Sequence, residues 1–463
     1  MSSSLATSHH LITAPLHPSQ GDTVKLTRAL AGASILALAA TLAACSSDSG
    51  GEATADCPDG VTTLTLLRAE NNPPKDEFIA QWEKANSCYK IAVDEVPFDQ
   101  LATKTQLIGS EDGGPDILEV DGPNTQTFAA AGLLLPIDDY LPDGYADEAV
   151  AASVAELSYD GKTYSTGMAQ TTLGLYYNKT MLDGLGIIPP TTLDDAWTWD
   201  EALKVMQQCQ VGDAENPDVF GLAPSAFGNG TAGNAYRDMV ILRSAGDPTA
   251  AKGSSAYNTY WAIAPEGDTV DGYLNTPEAI SAAKVYQSMY QGSTKVTSNE
   301  GLPNAFADGK ACFDLQTSYL AGNLAATPPD FEWGITPVPY ITTPIVHTGD
   351  VVLAVSSKTE HPEAAAKFAI DLGIGEEGLA WVASNKSFPS ITTTDSQFDY
   401  LKDPPLSILN DELVEWGQPR PPSTHFVEYD QLVSEGLRDI AFGADPASAL
   451  NDTVSKVDDA LAR

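Results

Sequence analysis

The sequence predicts an α/β protein of two lobes, each a mostly parallel β-sheet flanked by helices. β-rich apolar segments alternate with amphipathic helical segments, a pattern typical of parallel sheets that are covered by helices. This alternation begins near residue 61 and begins again near residue 173. The chain of 463 residues also exceeds what one hydrophobic core usually organises. Both observations favour two domains of the same class.

The first series of elements is a β-α-β unit followed by a further strand and helix. Strands are predicted over 61–67, 89–96 and 116–120, and helices over 75–85 and 124–131. Gly132 is placed to end the last of these helices, because glycine accepts the left-handed conformation that a helix C-terminus often needs.

The second series starts with a strand over 173–177 and a helix over 199–208. Thr198 followed three residues later by Glu201 predicts a capping box at the start of that helix. Strands are further predicted over 220–223, 311–315, 333–338 and 351–355, and helices within 232–292 and over 362–372, 431–440 and 446–460.

The N-terminal part of the chain predicts a secretion signal. Lys25 and Arg28 precede an apolar run over residues 29–43, and small residues lead to Cys45. This arrangement defines a signal peptide over residues 24–44, and its end resembles a bacterial lipobox, so we expect Cys45 to carry a lipid after cleavage. A membrane-spanning anchor is the alternative, but the run is shorter than the roughly 20 apolar residues that a span needs.

The segments beside the signal peptide are expected to be of two other kinds. Residues 1–23 carry no apolar periodicity, and we interpret them as a mis-annotated upstream segment, with Val24 as the true start. Residues 45–56 are rich in serine, glycine and aspartate and predict a flexible tether.

The charge of the chain limits its partners. It has 63 acidic and 24 basic residues, a formal net charge of −39. Phosphate backbones are bound by clusters of lysine and arginine, and the sequence has no such cluster after Arg28. We therefore expect no nucleic acid partner.

Four cysteines follow the lipidation site: Cys57, Cys88, Cys209 and Cys312. An even number of cysteines on the oxidising side of a membrane predicts two disulfides. We expect the pairs Cys57–Cys88 and Cys209–Cys312, because each pair then lies within one predicted lobe; four buried thiols are the alternative. No CxxC spacing is present, which excludes the usual zinc-binding and redox motifs.

Four stretches of the chain resemble, in their order and spacing, the extracellular solute-binding proteins of bacterial ABC importers, in the branch of maltose-binding protein and other sugar binders. They are residues 116–118 leading into 131–140, 175–179 followed by 198–203, 306–312, and 362–368. The resemblance implies a two-lobed periplasmic-binding-protein-like fold with a hinge. Lobe one is then expected to hold residues 57–166 and 320–371, and lobe two residues 167–319 and 372–463, with crossings near Gly167, Tyr319 and Leu372.

The resemblance also implies a function. The protein is expected to be the membrane-anchored substrate-binding component of an ABC transporter that captures a sugar or oligosaccharide by hinge closure and delivers it to permease subunits. It is expected to be a monomer outside the cytoplasm, lipid-anchored to the outer face of the cell membrane, with no metal and no cofactor.

Candidate ligand-binding residues lie beside the predicted strands, because ligands of open α/β sheets bind at the carboxyl ends of the strands. Carboxylates and amides together with aromatic rings suit a neutral mono- or oligosaccharide, whose hydroxyls hydrogen-bond while its C–H face packs on a ring. The candidates are Glu70, Asp121, Asn124, Gln170, Thr171, Phe227, Tyr319, Asp350, Trp416, Arg420 and Tyr429. The resemblance supports Asp121, Asn124, Phe227 and Tyr429 in particular.

Three of these candidates have an alternative role. Asp121 could cap the helix that follows it. Arg420 could hold the closing loop through a carboxylate. Trp416 is predicted in a loop, where stacking on a ligand and packing in a core are equally open.

The sequence does not predict an enzyme. Three of the six histidines follow Cys45, and they lie far apart, at His347, His361 and His425; there is no HExxH or GxSxG motif. A secreted carbohydrate-active hydrolase is one alternative, since two carboxylates suffice for that chemistry, although no acid stands out from the general excess. A sugar-sensing or adhesive lipoprotein of the same fold is the other.

Overall fold

The computed structural model of the protein describes Cys57 and residues 60–70, 72, 74–109, 113–213, 215–227, 234–391 and 397–463. The predicted upstream segment 1–23, the signal peptide 24–44, the lipidation site Cys45 and the tether 45–56 lie outside the described residues. Within the described part of the chain, no helix is long and apolar enough to span a membrane.

Fifteen strands occur in the described residues. They are β1 (Thr62–Ala69), β2 (Tyr89–Val96), β3 (Ile117–Asp121), β4 (Leu134–Leu135), β5 (Ser158–Tyr159), β6 (Lys162–Thr163), β7 (Ala169–Thr171), β8 (Leu173–Asn178), β9 (Val211–Gly212), β10 (Pro217–Leu222), β11 (Ala311–Thr317), β12 (Trp333–Thr336), β13 (Val346–His347), β14 (Gly349–Ser356) and β15 (Gly417–Gln418).

The same part of the chain forms seventeen α-helices. They are α1 (Asp76–Ala85), α2 (Phe98–Ile108), α3 (Asn124–Ala130), α4 (Tyr145–Glu148), α5 (Ala151–Glu156), α6 (Lys179–Leu185), α7 (Trp199–Cys209), α8 (Asn234–Arg237), α9 (Met239–Arg243), α10 (Ser255–Trp261), α11 (Pro277–Tyr290), α12 (Tyr319–Ala326), α13 (Pro362–Gly373), α14 (Glu376–Asn385), α15 (Leu406–Trp416), α16 (Phe426–Ala441) and α17 (Pro446–Leu461).

The strands build two main sheets, which confirms the predicted two-lobed α/β fold. The first sheet has the order β2-β1-β3-β14-β4, with β7 also paired to β14, and the second has the order β12-β8-β11-β10-β9. Parallel pairing joins β1 to β2 and β3, and β10 to β11. Antiparallel strands complete both sheets, because β14 and β8 enter them from the opposite direction.

The chain crosses between the sheets at places that differ from the sequence-based lobe limits. It passes from β7 to β8 directly after Thr171, close to the expected crossing at Gly167. β12 pairs with β8 in the second sheet, so residues 333–336 do not join the sheet of lobe one as their position within 320–371 implied. α14 packs on α1 of the first lobe, whereas α15 packs on β12. Strand pairing therefore moves the later crossings beyond Tyr319 and Leu372.

Local signals in the sequence are borne out at the helix ends. The Thr198 hydroxyl accepts from the Glu201 N–H at 3.3 Å, and the Glu201 carboxylate accepts from the Thr198 N–H at 2.8 Å, which is the predicted capping box. Gly132 has a φ of +69° and follows the C-cap of α3. The helix α7 lies so close to β10 that a Cβ at Gly221 would be 2.6 Å from the Met206 carbonyl oxygen.

Both expected disulfides are present. Cys57 and Cys88 have Cα atoms 5.5 Å apart and a sequence separation of 31. Cys209 and Cys312 have Cα atoms 6.2 Å apart and a separation of 103, and they join the end of α7 to β11. Each bond lies within one sheet and its helices.

Loss of the Cys209–Cys312 bond should lower the stability of the second lobe. The paired substitution Cys209→Ala and Cys312→Ala should cost about 2–5 kcal/mol of unfolding free energy, because the bond closes a long loop in the unfolded chain. Urea unfolding monitored by tryptophan fluorescence measures this. The matched control, Cys57→Ala with Cys88→Ala, removes a bond that closes a shorter loop, so it should cost less unfolding free energy. Equal or reversed costs contradict the expectation.

Candidate functional site

A buried ion pair joins the end of β3 to the loop before α16. The Arg420 guanidinium donates from Nη1 to Asp121 Oδ2 at 3.0 Å and from Nη2 to Asp121 Oδ1 at 2.6 Å. Asp121 is 6% exposed and Arg420 is 1% exposed. Of the alternatives for these two residues, helix capping by Asp121 does not occur, since α3 has no side-chain cap. Arg420 does hold its loop through a carboxylate.

The guanidinium of Arg420 is enclosed by rings and a second acid. Its Cζ lies 5.1 Å from the Tyr236 ring centroid and 5.4 Å from that of Phe426. Glu156 Oε1 from α5 approaches Nη2 at 3.7 Å. A buried guanidinium needs hydrogen-bond acceptors or aromatic faces in place of its hydration, and carboxylates also balance its charge. The surroundings of Arg420 provide both.

The crossing between β7 and β8 lies beside this pair. The Thr171 hydroxyl donates to the Gly349 carbonyl at 2.9 Å and lies 3.4 Å from the Tyr236 hydroxyl. A Cβ at Gly349 would be 3.2 Å from the Tyr236 ring and 3.3 Å from Arg420 Nη2. Glycine at the start of β14 therefore leaves the room that the guanidinium occupies.

A neutral histidine, His347, supports the same region through two hydrogen bonds. His347 Nδ1 must donate to the Tyr236 carbonyl, 2.7 Å away, so its Nε2 accepts from Arg243 Nη1, also at 2.7 Å. Burial, reinforced by the Arg243 charge, holds the pKa of His347 well below its ordinary value. Arg243 Nη1 also donates to the Pro419 carbonyl at 3.0 Å, which fixes the residue before Arg420.

A cavity of about 490 Å³ opens beside Asp121. Its walls come from both lobes, with α2, β3 and α3 on one side and the start of α16 on the other. Carboxylates, an amide pair and three phenylalanine rings meet there. The lining residues are Phe98, Leu101, Ala102, Thr103, Glu119, Val120, Asp121, Asn124, Phe128, Phe426, Val427, Asp430 and Gln431.

Glu119 contributes a buried carboxylate to this wall. Its Oε2 accepts from the Ala69 N–H at 2.8 Å and its Oε1 accepts from Asn72 Nδ2 at 2.6 Å. Burial raises the pKa of Glu119 to about 7 from an ordinary value of 4.5, although the two hydrogen bonds oppose the shift. The carboxylate thus ties the end of β1 and the residues after it to β3.

Asn124, the first residue of α3, has an unused acceptor. The residue is 8% exposed, and its Oδ1 is buried with no hydrogen-bond partner among the described residues. A buried polar atom without a partner is costly unless a ligand or water satisfies it. Asn124 also lines the cavity, so its side chain is a candidate contact for a ligand there.

Four of the predicted ligand-binding residues, Asp121, Asn124, Thr171 and Arg420, lie at the ion pair or the adjoining cavity, and their contact with a ligand stays a prediction. Gln170 lies next to them in β7, fully buried, and its side-chain amide donates to Ser153 Oγ at 2.8 Å. The backbone of Asp350, in β14, pairs with that of Gln170 in β7. The side chain of Asp350 lies outside the described part of the structure.

Other predicted residues lie elsewhere. Tyr429 is buried in the second-lobe core with its ring stacked on Phe426 at 5.8 Å. Trp416 is the last residue of α15 instead of a loop residue, and it packs on the same core. Glu70 and Tyr319 are exposed, Tyr319 by 37%.

Phe227 also belongs to a hydrophobic contact of the second lobe. Its ring centroid lies 5.8 Å from that of Tyr290 and 5.6 Å from that of Phe442. Neither Phe227 nor Trp416 is among the residues that line the described cavity. Their ligand contacts stay predictions.

Sequence reasoning missed the residues that complete the site. Glu119 had a detectable signal, since it is an acid inside the apolar strand β3. Tyr236 and Glu156 had none, because each lies on a helix where its neighbours give it an ordinary core pattern. In the described residues no cluster of three metal-ligating side chains occurs.

Comparison with known proteins identifies the class. A family profile described as bacterial extracellular solute-binding protein matches residues 69–387. The chain belongs to this family of extracellular binding proteins.

Two relatives are similar over much of their length. A protein of Brucella abortus (strain 2308) named as a binding protein is 24% identical over 439 residues, which is 93% of this chain and 96% of that protein. The multiple sugar-binding protein of Streptococcus mutans is 24% identical over 305 residues, covering 63% of this chain and 66% of that protein.

Solved structures share the fold. An ABC substrate-binding protein from Listeria monocytogenes in complex with cycloalternan has a TM-score of 0.71 at 20% identity and covers 86% of this chain and 98% of that chain. A solute-binding protein of an ABC transporter from Thermotoga lettingae, bound with α-D-tagatose, has a TM-score of 0.72 at 19% identity and covers 86% of this chain and 100% of that chain.

The Glu119 carboxyl should make stability depend on pH. Its folded pKa is raised, so between about pH 4.5 and 7 the folded protein holds a proton that the unfolded chain has lost, and this contribution to stability disappears as the pH rises through 7. In Glu119→Gln this dependence is absent. Between pH 5 and pH 8 the unfolding free energy of the wild type should therefore fall, relative to that of the variant, by up to about 3 kcal/mol.

Urea unfolding of both proteins at pH 5 and pH 8 measures this gap between the two unfolding free energies. Gln can lose one of the two hydrogen bonds at every pH, so only the change between the two pH values is diagnostic. A gap that is the same at both pH values contradicts the expected shift.

Proposed function

We propose that this protein is the substrate-binding component of an ABC importer, and that it captures a sugar or oligosaccharide in the cavity beside Asp121. The observation that carries the proposal is the cavity itself: its wall combines acceptor groups with aromatic rings at the carboxyl end of β3. Small-molecule sites of α/β folds lie at this edge, and a volume of about 490 Å³ is of the size such ligands need.

A neutral sugar suits the chemistry of the wall. Asp121, Asp430 and the Asn124 side chain can accept hydrogen bonds from sugar hydroxyls, and Phe98, Phe128 and Phe426 offer apolar faces. The described lining residues include no lysine or arginine, and no residue after Cys57 that the structure leaves undescribed is basic. An anionic sugar would therefore meet repulsion.

Relatives and structural neighbours support a carbohydrate. The Streptococcus mutans relative is named for binding multiple sugars, and the two structural neighbours above hold cycloalternan and α-D-tagatose. A maltose- and maltodextrin-binding domain from Bdellovibrio bacteriovorus bound to maltotriose has a TM-score of 0.68 at 18% identity. These ligands differ in size, so the proposal names the class and not the individual sugar.

Closure of two lobes on the sugar is the proposed mechanism. The first lobe supplies Glu119, Asp121 and Asn124, and the second supplies Phe426 and Asp430, so a ligand in the cavity contacts both. The lobe limits that we propose follow the sheets: residues 57–171 with 349–385, and residues 173–336 with 406–463. A ligand that binds both lobes favours the closed state by its extra contacts there.

We further propose that the protein is a monomer tethered outside the cell membrane. The support is the sequence pattern before Cys45 and the extracellular family to which the chain belongs. A lipid on Cys45 and the tether 45–56 would keep the folded body near the permease.

One observation bears on the hydrolase alternative. Glu119 has the raised pKa that a general acid needs, about 7, and it faces the cavity. Both of its oxygens, however, accept hydrogen bonds from the first lobe, from the Ala69 N–H and Asn72 Nδ2. This anchoring supports a structural carboxylate and a binding protein that leaves the sugar intact.

A thermal-shift panel tests the function. Residues 46–463 are screened against glucose, tagatose, maltose, maltotriose, trehalose, raffinose and cycloalternan, with glucuronate as the anionic control. At least one neutral sugar should raise the melting temperature, since a ligand at 100 times its Kd adds about 2.7 kcal/mol of stability. No shift with any sugar, or a preference for glucuronate, overturns the proposal. Chromatography of the incubated sugar separates binding, which leaves it intact, from hydrolysis.

Asn124→Ala should weaken binding of the best panel sugar about tenfold or more, because it removes a buried acceptor in the cavity wall; about 1.4 kcal/mol corresponds to tenfold. Isothermal titration calorimetry measures the Kd. The matched control is Gln126→Ala on the same helix, whose side chain donates to the Ala155 carbonyl and does not line the cavity. Equal affinities for both variants would remove Asn124 from the site. Trp416→Ala in the same series tests the sequence-based stacking prediction.

A further inference from the structure

We propose that Arg420 is a positioning residue that holds the Asp121 carboxylate for the sugar, so that the ligand site is complete only when the second lobe touches the first. The inference rests on the proposed function, because it concerns the sugar site beside Asp121. It differs from the sequence-based expectation, in which Arg420 contacts the ligand directly.

The geometry places Arg420 behind Asp121. Both terminal nitrogens of the guanidinium donate to the two oxygens of Asp121, at 3.0 and 2.6 Å. Asp121 lines the cavity and Arg420 does not. A carboxylate has about four acceptor positions, so the bidentate pair leaves two for ligand hydroxyls. Arg420 can therefore act on the sugar only through Asp121.

The second lobe fixes the orientation of the guanidinium. The rings of Tyr236 and Phe426 lie against it, at 5.1 and 5.4 Å, and these residues belong to α8 and α16. The preceding residue, Pro419, is held by Arg243 through its carbonyl. The plane in which Asp121 is held is thus set by residues of the other lobe.

The same loop docks on the first lobe beside the cavity. The Phe426 N–H donates to Thr127 Oγ1 at 3.1 Å, and the Thr127 hydroxyl donates to the Ser423 carbonyl at 3.4 Å. Thr127 lies on α3, the helix that begins with Asn124. Contact between the lobes therefore places Arg420 against Asp121 at the point where the sugar is expected.

The other acids near Asp121 make the orientation of its carboxylate depend more strongly on Arg420. Glu119, Glu156 and Asp430 lie around Asp121 or the same cavity, and in the described residues Arg420 is the cation that pairs with Asp121. When the lobes separate, Asp121 loses this partner and its fixed orientation. A lysine would keep the charge but not the planar two-point fork.

A double-mutant cycle on sugar affinity tests the role. The probe is the one panel sugar that gives the wild type its largest thermal shift, and it is titrated calorimetrically into wild type, Asp121→Asn, Arg420→Met and the double variant. Arg420→Met should weaken binding by 10-fold or more in the wild-type background and by less than 3-fold in the Asp121→Asn background. Arg420→Lys should recover only part of the loss, which a purely structural role would not predict.

Two controls keep the result interpretable. Arg237→Met removes another buried arginine, paired with Asp238 in the second lobe, and should lower the melting temperature without changing the Kd. If Arg420→Met does not fold, Arg420→Lys takes its place in both backgrounds. Equal losses in both backgrounds, or no loss in either, overturn the positioning role while sugar binding stands. Absence of binding by the wild type overturns the proposed function and this inference with it.

Discussion

The buried pair of Asp121 and Arg420 is the constraint on which the arrangement of the site depends. Neither charge can be left alone at this depth, since breaking a buried pair by removing one partner costs about 3–5 kcal/mol. Asp121 ends a strand of the first sheet, and Arg420 lies in the loop before α16 of the second lobe. The need to keep these charges together therefore ties two segments 299 residues apart in sequence into one site.

The surroundings of the pair follow from the same need. Gly349 leaves room for the guanidinium, Tyr236 and Phe426 cover its faces, and His347 remains neutral because a second arginine, Arg243, donates to it. These contacts converge where the chain crosses from β7 to β8 and from β13 to β14. A hinge is where small changes in backbone angles move whole lobes, so charge pairing at this crossing would link the proposed ligand site to the relation between the lobes.

The cavity beside Asp121 provides the groups that a ligand would contact. Its wall offers acceptors and rings, with no lysine or arginine among the described lining residues, which matches a ligand that donates hydrogen bonds and carries no negative charge. Membership of the extracellular solute-binding family supports the binding of a solute independently of the cavity. The two lines of support concern different parts of the molecule, the whole chain in one case and a few side chains in the other.

The sequence by itself determined the elements and their local ends. Period and composition placed β1 to β3, α3, α7, β8, β10, β11, β14, α13 and α17 within a few residues, because hydrophobic spacing, caps and glycine act over short distances. The cysteine count and the predicted lobes also gave the disulfide pairs. Only the tertiary structure decided which strand joins which sheet, as β12 shows, and which acid meets Arg420, because those choices depend on packing between distant segments. Trp416 and Tyr429 illustrate the same limit: an aromatic residue has the same sequence signature in a core as at a ligand, and the packing of both residues with the second-lobe core appears only in the fold.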